Sequence, residues 1–131
     1  MKLLLDTSAY VAFKKDNNEV VDVIISADEI IFSPIVLGEL MFGFRNGTKF
    51  KKNMDELDQF LLHESVKLSS VGKITSDRYS RITNQLKSQG TPIPTNDIWI
   101  AAQAMEHGAE LITTDSHFEK VPGLVFALYR Q

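Results

Sequence analysis

The chain has 131 residues, 44% hydrophobic and 24% charged, the size and balance of a single soluble domain spanning residues 1–131. It contains no cysteine, which excludes a disulfide framework, a thiolate zinc site and a cysteine nucleophile, and fits a reducing compartment. The net charge of −3, from 14 Lys or Arg and 17 Asp or Glu, speaks against a uniformly basic nucleic-acid binder.

Lys2 to Leu5 is a short apolar run cut off by Asp6, which reads as a buried strand. The interruption comes too early for a signal-peptide apolar segment. No later stretch reaches the roughly 18 apolar residues that cross a bilayer, so a cytoplasmic protein without membrane contact is expected. Asp6-Thr7-Ser8 offers capping side chains, and Ala9 to Lys15 follows as a short helix broken at Asn17-Asn18. Val20, Val21, Val23, Ile24 and Ile25 mark one side of a second helix ending near Ala27, before a strand at Glu29 to Phe32. Ser33-Pro34 starts a third helix, with a capping hydroxyl and then a proline whose missing N–H does no harm. It carries Glu39 to about Phe44, where Asn46-Gly47 stops it.

Thr48 to His63 has the pattern of a long amphipathic helix, with Phe50, Met54, Leu57, Phe60 and Leu61 on its apolar side. Val66 to Leu68 is a third short strand, and Gly72 to Gln89 a helix closed by Gly90. Thr91-Pro92-Ile93-Pro94 must be extended, because each proline restricts its predecessor. Thr95 then caps a helix from Asn96 to His107, ended by Gly108. Glu110 to Thr113 is a strand, Asp115 to Lys120 a turn or short helix, and Leu124 to Leu128 a last strand. Strands alternate with helices, which predicts an α/β fold of three layers, α/β/α, with a mostly parallel central sheet flanked by helices.

Familiar catalytic motifs are missing: there is no GxGxxG, no P-loop, no GxSxG and no HExxH. His63 and His107 fall at helix C-termini, where contact with the dipole is their ordinary role. His117, beside Asp115 in a turn, stays open as a functional candidate. Four carboxylates stand out instead. Asp6 and Asp115 each follow a strand, and ligands of open parallel sheets bind outside the carboxyl ends of strands. Glu39 has Ile35, Val36, Phe42 and Gly43 three and four positions away, none of which can pair with a carboxylate. A buried charge on such a stripe needs a partner from elsewhere.

Asp97 lies in a first helical turn, which the dipole favours, yet its neighbours are apolar and Asn96 adds an oxygen. Each acid alone could be a cap or an edge residue. Four at element ends, without cationic partners on their own helix faces, point to a hard-cation site suited to Mg²⁺ or Mn²⁺. Two basic segments lie outside this cluster: Arg45, Lys49, Lys51 and Lys52, and then Lys73, Arg78, Arg81 and Lys87. They could guide a phosphate backbone or simply form solvated helix faces.

These residues carry a resemblance. Leu3-Leu4-Leu5-Asp6-Thr7-Ser8, Ser33-Pro34-Ile35-Val36-Leu37-Gly38-Glu39-Leu40, Pro94-Thr95-Asn96-Asp97-Ile98-Trp99-Ile100-Ala101-Ala102 and Leu111-Ile112-Thr113-Thr114-Asp115-Ser116-His117-Phe118 resemble the PIN-domain family. The likeness is strongest to its VapC-type toxins. It implies a PIN-like fold and a Mg²⁺- or Mn²⁺-dependent endoribonuclease that cuts single-stranded regions of RNA, the toxin of a type II toxin–antitoxin pair. Asp6, Glu39, Asp97 and Asp115 would be its catalytic acids. Asp6, Asp97 and Asp115 would ligate the metal, supported by Thr7, Ser8, Asn96 and Thr114. On their charge alone, apart from the resemblance, Arg45, Lys49, Lys51 and Lys52 are the candidate RNA contacts.

A cognate VapB-like DNA-binding antitoxin and a homodimer are the implied partners, the dimer also being suggested by surplus apolar residues at Phe42, Phe44 and Phe50. Two alternatives are a non-catalytic PIN-like RNA-binding module and an aspartyl-phosphate phosphohydrolase. The second calls for an Asp-x-Asp-x-Thr run, and position 8 is serine.

Overall fold

The computed structural model describes residues 1–131. Five strands, β1 (Lys2–Leu5), β2 (Glu29–Phe32), β3 (Val66–Leu68), β4 (Glu110–Thr113) and β5 (Phe126–Leu128), alternate with six helices. These are α1 (Thr7–Lys14), α2 (Asn18–Ser26), α3 (Pro34–Arg45), α4 (Phe50–Leu62), α5 (Lys73–Gln89) and α6 (Thr95–His107), with a 3-10 turn at Ser116–Lys120. No helix is long and apolar enough to cross a membrane.

The sheet runs in the order β3-β2-β1-β4-β5 and every pairing is parallel. Leu4 of the central strand sits between Ile31 and Leu111. Leu3, Leu4 and Leu5 are all fully buried. That absence of alternation is what a strand covered on both faces requires. From β1 the chain winds outward through β2 to β3, then returns across the sheet to β4 on the other side of β1. Right-handed crossovers in opposite directions place α1 to α4 on one face and α5 with α6 on the other. Within these layers α1 packs on α2 and α3, α3 on α4, and α5 on α6. α3 also packs against α6, an element of the other layer.

The turns and caps follow local chemistry. Ser33 Oγ accepts from the Ile35 N–H (3.0 Å) with Pro34 in the first turn of α3, and Asn17 caps α2 through the Val20 N–H (3.2 Å). Gly90 and Gly108 close α5 and α6 with φ of 70° and 61°, left-handed values that a side chain would strain. Under α1 to α4, Phe32 is fully buried and packs against Tyr10 and Phe60 at ring distances of 6.0 and 5.9 Å. Burying one such side chain contributes roughly 1.5–3 kcal/mol.

Several helix and strand starts differ from the sequence-based expectation, the first at α1, which begins at Thr7 rather than Ala9. Thr95 is the first residue of α6 rather than its cap, a position held by Pro94. Helix α4 starts at Phe50 instead of Thr48. The last strand begins at Phe126 rather than Leu124, because Gly123 still turns there with φ 78°. Phe44 packs against the core and Phe50 is half-buried, so of the three phenylalanines read as surplus only Phe42 is exposed, at 69%.

Candidate active site

β1 and β4 are adjacent; from β1 the chain winds to one side through β2 and β3, then crosses back to β4 on the other side. Their carboxyl ends therefore flank the switch point of the sheet, where side chains from separate loops converge on an open crevice. Asp6 leaves β1 there and Asp115 leaves β4. The contact of α3 with α6 brings Glu39 and Asp97 to the same edge.

Asp6 is 4% exposed. Its Oδ2 accepts from Thr113 Oγ (2.8 Å) and from Ser8 Oγ (2.9 Å). Each hydroxyl in turn accepts a backbone N–H, Thr113 from Asp115 (2.9 Å) and Ser8 from Thr114 (3.0 Å). Both hydroxyl protons are thus committed to Asp6, and the 3.3 Å approach of Ser8 to Thr113 carries no proton of its own. Burial pushes the Asp6 carboxyl above its usual range, and these two hydroxyls partly offset that.

Glu39 has its missing partners from other elements. Thr7 Oγ donates to Oε1 and Asn96 Nδ2 donates to Oε2 (3.2 Å). That arrangement satisfies a carboxylate whose own helix face offers none.

Asp97 is 9% exposed, and its pKa is pushed up to about 6. Burial is the main cause, the negative charges of Asp6 and Asp115 add to it, and the hydrogen bond with His117 opposes it. His117 Nδ1 lies 3.0 Å from Asp97 Oδ2 and 3.2 Å from Asp115 Oδ1. Donor atoms of Asp97, Asp115 and His117 all lie within 4.8 Å of one another, a group able to hold a metal ion. No lysine or arginine pairs with any of the four acids; every such ion pair lies elsewhere.

Two side chains at this edge have roles that the sequence reading leaves unassigned. The hydroxyl on Asp6 belongs to Thr113, whereas Thr114 turns its hydroxyl to Gln131 Nε2 (3.2 Å) and contributes only its N–H. His117 is open on sequence grounds, and the Asp-x-His spacing in a tight turn is its signal. None of the basic residues of the Arg45 to Lys52 segment pairs with the four acids. Arg45 lies over the Phe50 ring at 4.5 Å, Lys51 pairs with Asp55 at 3.2 Å, and Lys49 and Lys52 are exposed. His63 Nδ1 accepts from the Ser65 N–H at the end of α4 (3.2 Å), while the carbonyl of His107 accepts from Lys2 Nζ (3.1 Å).

The Asp97 environment has a consequence for stability. A carboxyl raised from 3.8 to about 6 holds its proton more tightly when folded. Its stabilising contribution is complete below the unfolded pKa and is lost as pH rises through the folded value. Metal-free protein should therefore lose about 1–2 kcal/mol from this group between about pH 4 and pH 7, once solvent screening is allowed for. Asp97→Asn should flatten that slope in urea denaturation measured across the range. An unchanged slope in the variant would contradict this account of the carboxyl.

The sequence matches the PIN domain family over residues 3–124. It is 28% identical over 129 residues to Ribonuclease VapC1 of Haemophilus influenzae (strain R2866), covering 95% of both chains. To Ribonuclease VapC2 of Rickettsia felis it is 32% identical over 97 residues, 73% of this chain and 71% of that one. The fold superposes with a TM-score of 0.85 and 26% identity on a crystal structure of VapBC2 from Rickettsia felis bound to a DNA fragment from their promoter, covering 98% of this chain and 99% of that one. With its acids at the carboxyl edge of a parallel sheet and a match across nearly its whole length, the chain belongs to the PIN domain family.

Proposed function

We propose that residues 1–131 form one nuclease domain that hydrolyses single-stranded regions of RNA with a divalent cation, as the toxin of a type II toxin–antitoxin pair acting in the cytoplasm. The observation that carries this reading is the unneutralised cluster: Asp6 and Asp97 are buried beside Asp115, and no lysine or arginine pairs with them. Carboxylates arranged so gain most from a hard cation that takes oxygen ligands. The relatives named Ribonuclease VapC support the reaction class.

Asp6, Asp97 and Asp115 are the residues that would hold Mg²⁺ or Mn²⁺. When bound, the ion would supply activation of a water and stabilisation of the charge developing at the phosphodiester. The chain's own contribution is orientation. Ser8 and Thr113 tie down one oxygen of Asp6 and leave Oδ1 free of either hydroxyl. Thr7 and Asn96 fix both oxygens of Glu39, so that it faces the cluster with a set direction. Asp115 is held through the His117 N–H (2.9 Å).

Hydrolysis of a single-stranded RNA should require Mg²⁺ or Mn²⁺ and stop with EDTA. Asp6→Asn or Asp97→Asn should lower the rate about 100-fold or more while leaving the circular dichroism spectrum unchanged. Wild-type rates in a folded variant would remove the metal mechanism. RNA binding without cleavage by the wild-type protein would favour the non-catalytic module instead.

Arg45, Lys49, Lys51 and Lys52 form the proposed approach path for the RNA backbone. Replacing Lys49, Lys51 and Lys52 by Ala should weaken binding across RNA sequences and flatten its salt dependence by about 2 units of slope on logarithmic axes. If affinity and slope both stay put, the segment is only a solvated surface.

The proposed partners are a second copy of the chain and a VapB-like DNA-binding antitoxin. Phe42, 69% exposed on α3, supplies apolar surface that a dimer would cover. An arginine or lysine of the antitoxin reaching the acids would relieve their repulsion, since a guanidinium binds carboxylates bidentately. Light scattering should give twice the chain mass, and changing that basic side chain to Ala should weaken inhibition. A monomer at micromolar concentration, or inhibition untouched by the change, would contradict the respective contact.

A further inference from the structure

His117 enters the acid cluster from a turn whose backbone is held on both sides. Asp115 caps the 3-10 turn, its Oδ1 accepting from the His117 N–H (2.9 Å). The next residue, Phe118, is fully buried and anchors the turn to the core. Between these two fixed points the imidazole folds back over the carboxylates. Nδ1 stands 3.0 Å from Asp97 Oδ2 and 3.2 Å from Asp115 Oδ1, facing acids from two different elements at once.

A single ring nitrogen carries at most one hydrogen, so one N–H is shared between two acceptors. The same three residues, with ligand atoms all within 4.8 Å of one another, can also share a cation. Neighbouring ligands on an octahedral ion with bonds of about 2.0–2.1 Å lie about 2.8–3.0 Å apart, so Nδ1, at 3.0 and 3.2 Å from the two oxygens, needs only a small adjustment to join them on one ion. The His117 side chain is 43% exposed, so the remaining proton can sit on Nε2 and be hydrated while Nδ1 offers its lone pair.

We propose that His117 Nδ1 is a direct ligand of the cation held by Asp97 and Asp115, and that this nitrogen makes the site favour Mn²⁺ over Mg²⁺. The preference follows from ligand chemistry. Mg²⁺ takes oxygen and dehydrates reluctantly, whereas imidazole is a good ligand for transition-metal ions. This inference rests on the metal-dependent reading above and adds to it which side chain sets the identity of the metal.

The test uses Mn²⁺ as the probe on the full chain. Pulsed electron paramagnetic resonance of the Mn²⁺-loaded wild-type protein should show coupling to one nitrogen, and His117→Ala should lose it. Calorimetric titration should show Mn²⁺ affinity falling about tenfold or more in His117→Ala, with Mg²⁺ affinity changed less than about threefold. Circular dichroism checks that the variant is folded, as the exposure of this side chain leads us to expect. Mn²⁺ that binds in an Asp97-dependent way without nitrogen coupling overturns the ligand assignment and leaves the nuclease reading standing, as does coupling that survives in His117→Ala. A wild-type protein that binds no Mn²⁺ at millimolar concentration overturns both.

Discussion

Carboxylates crowded at one edge of a sheet repel each other, and burial strengthens the repulsion because protein surroundings polarise less than water. Asp6 and Asp97 are each less than one-tenth exposed, with Asp115 beside them. The surrounding structure limits the cost without removing it. Hydroxyls of Ser8 and Thr113 feed one oxygen of Asp6, Thr7 and Asn96 feed both oxygens of Glu39, and His117 reaches Asp97 and Asp115. Neutral donors dominate this list, and lysine and arginine are absent from it. A purely structural cluster would be cheaper with a guanidinium in its middle. Keeping that place free of a fixed cation is sensible when a mobile one is to occupy it.

The fold supplies the rigidity such an arrangement needs. β1 is the centre of the sheet, its three leucines are fully buried, and Asp6 is the next residue along. β4 lies alongside it and ends at Thr113, so the strand that presents Asp115 also presents the hydroxyl that holds Asp6. The reversal of winding between these two strands opens the crevice. Contact between α3 and α6 then delivers Glu39 and Asp97 to the crevice from elements far apart in sequence. Stability is given up at this edge and recovered in the core, for example around Phe32 and its aromatic neighbours.

Much of this was legible in the sequence. Short apolar runs ended by Asp6 and by Asp115 located two strand ends, and the apolar neighbours of Glu39 marked it as a carboxylate needing help from elsewhere. What stayed hidden depended on distant geometry. Thr7 and Asn96 lie 32 and 57 residues from Glu39 in the chain, and no helical periodicity connects them. Thr113 and Thr114 could not be told apart because a strand buried on both faces has no alternation from which to read side-chain direction. His117 needed the 3-10 turn, set by a cap and a buried Phe118, before its direction was fixed. Phe44 looked like surplus surface until the packing of α3 placed it against the core.

The central claim is that the crowded acids at the β1 and β4 ends form the seat of a divalent cation. Anomalous diffraction from crystals soaked in Mn²⁺ tests this most directly, because it locates the ion without reference to activity. The account predicts a peak bounded by the carboxylates of Asp6, Asp97 and Asp115. A peak located only elsewhere on the surface, or none at a Mn²⁺ concentration that supports RNA hydrolysis, would contradict it.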